Sequence, residues 1–69
     1  MESRADKFKR IATKRTIDII ERIRILGNTS NKSTYSYTDD EVNKIFKTID
    51  AELKKQKAKF TTSEKKFSL

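Results

Sequence analysis

The sequence predicts an all-α chain: a two-helix antiparallel hairpin with a polar connecting loop and a basic, flexible C-terminal tail. Three observations carry that reading. Apolar residues recur at three- and four-residue spacing in two separate segments. The only glycine, Gly27, follows the last residue of the first pattern, and the second pattern opens on a Thr-x-x-Glu signature at Thr38 and Glu41. No proline interrupts either segment.

The first helix is expected over about 4–26. Phe8, Ile11, Ala12, Ile19, Ile20, Ile23 and Leu26 fall on one face, and with Thr16 they cover about half the circumference at about 100° per residue. Arg10, Lys14, Glu21 and Arg24 lie opposite. Ile17 and Ile25 fall outside the arc, either as isolated surface residues or as a second contact. Gly27 is expected to stop the helix by taking a left-handed backbone conformation.

The loop, 27–38, is rich in Asn, Ser and Thr, which favour turns because their side chains hydrogen-bond nearby backbone. It is slightly longer than the about 2–8 residues that usually join two helices, and excess length often marks local packing or function. Both tyrosines, Tyr35 and Tyr37, sit here and would face the same way in an extended strand. One expectation is that they fold onto Val42 or Leu26 beside the Thr38 cap. The other is that they stack on bases, with Lys32 contacting phosphate and Asn28 and Asn31 supplying hydrogen bonds. The sequons at Asn28 and Asn31 are read as chance products of this composition.

The second helix is expected over about 39–58. Its stripe, Val42, Ile45, Phe46, Ile49 and Leu53, is only about 100° wide and takes in Phe60 if the helix runs that far. Lys44, Lys47, Lys54 and Lys55 line the other side with Ala51. The acids Asp39, Asp40 and Glu41 complement the positive end of the helix dipole, which explains them better than a metal or acid–base site does. The pattern dissolves after Lys59, so residues 59–69 are read as the tail.

At 69 residues the chain is read as a single domain with a marginal core of its own. Self-association or docking on a partner is therefore expected to complete it. Without Cys or His it has no disulfides, no usual zinc ligands and no histidine base, so it is not expected to be an enzyme or to hold a cofactor or metal. No membrane-spanning run and no leader pattern is seen, so no membrane partner and a cytoplasmic location are expected.

The 17 basic and 10 acidic residues leave a charge of +7, unevenly spread. Residues 1–27 hold eight basic and four acidic groups, 39–53 hold two against five, and 54–69 hold six lysines against one Glu. Basic ends of this kind attract polyanions, though they also serve solubility. The expected function is a small basic helical accessory protein associated with RNA or DNA. Its contacts would come from Arg4, Arg15 and Arg22 along one edge of the first helix, from Lys32, Tyr35 and Tyr37 in the loop, and from Lys54, Lys55, Lys57, Lys59, Lys65 and Lys66. Phe60 and Phe67 interleave with those lysines. A more ordinary role for Arg15 and Arg22 is an Arg–Asp–Arg surface ladder through Asp18. The alternative function is a protein-binding adaptor or inhibitor, of phage or plasmid type, acting through Ile11, Ile19, Ile20 and Ile23. An amphipathic membrane-surface helix is disfavoured by the lack of Trp and by Asp6, Asp18 and Glu21.

Overall fold

A computed structural model describes the backbone of residues 1–67 and the side chains of residues 1–61. The chain is all-α, with α1 at Arg4–Gly27, a 3₁₀ turn at Asn28–Ser30 and α2 at Asp39–Phe67, and no strand among the described residues. It divides into two units, residues 1–36 and 37–69.

In the first unit, Ser3 caps α1: its Oγ accepts the Asp6 N–H at 3.0 Å, and its carbonyl accepts the Lys7 N–H at 2.9 Å. The Ser3-x-x-Asp6 pattern announces this cap, with Asp6 also complementing the helix dipole. At the other end α1 stops at Gly27 as expected, but not through a left-handed conformation of that glycine. Its φ is −59° and its ψ −27°, ordinary right-handed helix, and no described residue has positive φ. The helix instead tightens into the 3₁₀ turn. There the Asn28 N–H points at the last carbonyls, and the Thr29 hydroxyl donates to the Leu26 carbonyl at 2.7 Å. A hydroxyl thus satisfies a terminal carbonyl that a left-handed glycine corner would otherwise have served.

Asn31 organises the rest of this unit. Its Oδ1 accepts both the Ser33 N–H at 3.0 Å and the Ser33 hydroxyl at 2.6 Å, an Asx turn. Its carbonyl accepts the Thr34 and Tyr35 amides at 3.1 and 2.9 Å.

The second unit opens on the expected capping box. The Thr38 N–H donates to Glu41 Oε1 at 2.8 Å, and the Glu41 N–H donates to Thr38 Oγ1 at 3.1 Å. Tyr37 and Val42, the two positions that a hydrophobic staple joins across such a box, are both half-buried. From there α2 runs to Phe67, well past the expected end near 58. Residues 59–67 are therefore helical rather than an irregular tail, while Ser68 and Leu69 lie outside the described residues. The reason is that loss of apolar periodicity does not end a helix. Residues 54–60 are Lys, Gln, Ala and one Phe, mostly good helix formers, and no Gly or Pro follows them.

No described residue in either unit is buried; Ile11, Ala12, Leu26, Tyr37, Val42, Ile49 and Thr61 are the half-buried ones.

Candidate nucleic-acid interface

The arginine row is the most organised group of charges on α1. Arg4, Arg15 and Arg22 are eleven and seven residues apart, close to three and two full turns, so they project from one edge of the helix. At about 1.5 Å per residue their Cα atoms are spaced about 16 and 10 Å along the axis.

The expected Arg15–Asp18–Arg22 ladder does not form. Asp18 Oδ2 instead takes Lys14 Nζ at 3.4 Å, one turn back. Three cations lie three or four residues from Asp18, and sequence spacing alone cannot choose among them. Arg4, Arg15 and Arg22 consequently hold no ion pair among the described residues.

Arg10 provides the contrast. Its Nε and Nη2 donate to the two Glu2 carboxylate oxygens at 2.8 and 3.1 Å. That carboxylate raises the guanidinium pKa above an already high ordinary value, so Arg10 stays charged at any working pH. One arginine is thus neutralised by a forked pair at the helix start, and three in a row are not.

The tyrosines part company. Tyr35, in the first unit, is 50% exposed, whereas Tyr37, in the second, is half-buried beside the cap. Asn31 spends its side-chain oxygen on Ser33, which leaves it poorly suited to reading a base. Lys32 is exposed.

On α2, Lys54, Lys55, Lys57 and Lys59 are exposed and form no ion pair among the described residues. They do not form one patch. At about 100° per residue, Lys54 and Lys55 lie away from the apolar stripe while Lys57 and Lys59 border it on opposite sides. The side chains of Lys65 and Lys66 lie outside those described.

Of the partner-binding candidates, Ile19, Ile20 and Ile23 are exposed and Ile11 is half-buried; Ile17 and Ile25 are exposed as well. Asp50 and Glu52, absent from the expected site residues, also border the α2 stripe. Their signal is register rather than composition.

No group of three or more His, Cys, Asp or Glu among the described residues could hold a metal ion, and Glu41 of the acidic first turn is engaged at the cap. A shallow depression lined by Glu41, Lys44, Ile45, Thr48 and Ile49 follows one side of α2. It is open to solvent and formed by a single helix, unlike the enclosed clefts that bind small molecules. Among the described residues no helix is long and apolar enough to cross a membrane. No family model matches the sequence, and no curated protein or solved structure is significantly similar to it.

Proposed function

We propose that this chain is a small nucleic-acid-associated accessory protein whose α1 lies along a phosphate backbone through Arg4, Arg15 and Arg22. The observation that carries the reading is that these guanidinium groups stand in line with no carboxylate partner among the described residues, while Asp18, the acid placed to neutralise Arg15 and Arg22, is taken by Lys14. Guanidinium forks match phosphate geometry and are more readily desolvated than ammonium groups. Lys54 and Lys55 add diffuse attraction from α2, and the Tyr35 ring supports stacking on an unpaired base.

The test is a salt-dependence titration on single-stranded RNA and on duplex DNA. Replacing Arg4, Arg15 and Arg22 together with Gln is expected to reduce the slope of log affinity against log salt by about 2–3, one counterion per lost phosphate contact. Replacing Lys7, Lys9 and Arg24 with Gln removes the same charge from α1 outside the row and is expected to change the slope by less than about 1. Equal effects of the two triples would reduce the row to nonspecific charge.

A second reading has its own support. Ile19, Ile20 and Ile23 are exposed on one face of α1, as in a helix that docks its apolar side into a protein groove. In that case a charged substitution at Ile19 or Ile23 abolishes partner capture with helicity retained, and the arginine triple leaves capture intact.

A further inference from the structure

We propose that α2 is a self-recognition helix: a second copy of this chain lays its own α2 antiparallel on the apolar stripe, so that Asp50 meets Lys57 of the second copy and Glu52 meets its Lys59. The proposal rests on register and charge in α2 and is independent of the arginine row on α1.

Register comes first. Val42, Phe46, Ile49, Leu53, Gln56 and Phe60 alternate four and three residues apart, the two seam positions of a heptad repeat, on a helix that is unbroken from Asp39 to Phe67. Such a helix is about 43 Å long at about 1.5 Å per residue, roughly four heptads. Its seam is exposed at 46% for Phe46, 52% for Leu53 and 69% for Phe60. A narrow seam of this kind is what a pair of helices buries, in contrast to the broad arc of α1.

Charge then selects the occupant and its direction. Residues 39–53 hold five acids and two lysines, and residues 54–69 hold six lysines and one Glu. A parallel pair would set acid against acid at one end and lysine against lysine at the other, and would align the helix dipoles. An antiparallel pair sets each acidic half against a basic one. A uniformly basic helix would match α2 only as far as Glu52; another α2 also matches Lys57 and Lys59.

The edges agree in detail. Seven residues separate Asp50 from Lys57 on one border of the seam, and seven separate Glu52 from Lys59 on the other. When Ile49 faces Phe60 and Leu53 faces Gln56 of the second copy, both borders carry opposite charges in the same register, and two-fold symmetry repeats each pair. Asp50, Lys57 and Lys59 hold no ion pair among the described residues. Gln56, the one polar group in this part of the seam, donates from Nε2 to Glu52 Oε2 at 2.6 Å, so its amide has an acceptor at the border before the seam closes.

Sedimentation equilibrium on the full chain tests this, with circular dichroism to verify helicity. The unmodified chain is expected to dimerise with concentration. The double variants Asp50→Lys with Glu52→Lys, and Lys57→Glu with Lys59→Glu, each make both borders of like charge and are expected to raise the dissociation constant at least about tenfold. Mixing the two variants restores opposite charges and is expected to recover dimer. Direction is read by thiol exchange in a glutathione redox buffer, since the chain has no native Cys: Ile49→Cys and Phe60→Cys are expected to form a mixed disulfide with each other but not with themselves. A chain that stays monomeric at every concentration, charge variants that behave like the unmodified chain, or a mixture that does not recover overturns the proposal. So does preferential disulfide formation by either cysteine variant alone, which indicates a parallel pair.

Discussion

α1 and α2 are both long amphipathic helices without a buried residue among those described, yet their borders differ in kind. Along the α1 arc the borders are mainly cationic, with Arg4, Arg15 and Arg22 on one side and Lys9 on the other. Along the α2 stripe the sign reverses partway, from Asp50 and Glu52 to Lys57 and Lys59. A border of one sign suits a long polyanion and opposes a copy of itself. A border that reverses suits its own inverted copy and has no preference for a uniform polymer. Amphipathicity alone, which the two helices share, does not choose between covers for the apolar side; the order of charges beside it favours one over another.

The two units also differ in how their aromatic rings are used, and this is where the comparison is most easily broken. Tyr35→Ala is expected to leave helicity unchanged and to weaken single-stranded nucleic-acid binding by about 1–3 kcal/mol if its exposed ring stacks on a base. Tyr37→Ala is expected to act on α2 instead, lowering helicity through loss of the staple position while changing nucleic-acid affinity little. Anisotropy titrations and circular dichroism on both variants check this, and a reversed pattern would mean that the half-buried ring is the one that binds.

A smaller effect separates the two helix starts. Thr38→Ala breaks a reciprocal box, removing the acceptor of the Glu41 amide, and should cost about 1 kcal/mol of α2 stability. Ser3→Ala removes a single side-chain bond to the Asp6 amide at a terminus and should cost less, toward about 0.5 kcal/mol. Helicity at 222 nm against temperature distinguishes them, since each change reports on its own helix.

The smallest expected effect is a gain. Gly27 has right-handed φ and ψ, and a Cβ there would meet nothing within 4 Å. Gly27→Ala should therefore stabilise the end of α1 by about 0.5–1 kcal/mol. A loss of helicity would instead indicate that this glycine visits a left-handed corner in solution.

The outcomes at Gly27 and at Thr38 show what the sequence made legible. The capping box at Thr38 could be read because it names two residues with one geometric relation, each satisfying the other's backbone N–H. Gly27 misled because glycine permits a left-handed corner without requiring one, and the Thr29 hydroxyl did the work such a corner would have done. α2 extends beyond its expected end because apolar periodicity reports which face is apolar and not where the hydrogen-bonded helix stops. The row of Arg4, Arg15 and Arg22 followed from spacing alone, but its lack of ion-pair partners did not. That depended on Asp18 choosing Lys14 among near-equal neighbours, a difference of a few tenths of a kcal/mol that no pattern of residue types encodes. Tyr35 and Tyr37 share a face in an extended segment, and adjacency to the Thr38 cap already marks Tyr37 as the one placed to staple; the turn at Asn31 and the cap place them in different surroundings.

The lack of any buried side chain among the described residues also bears on how this sequence can change over generations. In most small proteins the interior vetoes substitutions, because each core residue must fit its neighbours within a methyl group or so. Here almost every position is free of that veto, and a lone copy would tolerate drift at Phe46, Leu53 or Ile23 with little loss of helix. On the two proposals above, constraint would arise only in company: a seam residue would be held by the copy it meets, an arginine by the phosphate it contacts. Selection on this chain would therefore act through its complexes, and a permissive substitution map for the isolated protein would tighten along one face of each helix when the same map is measured on the assembled form.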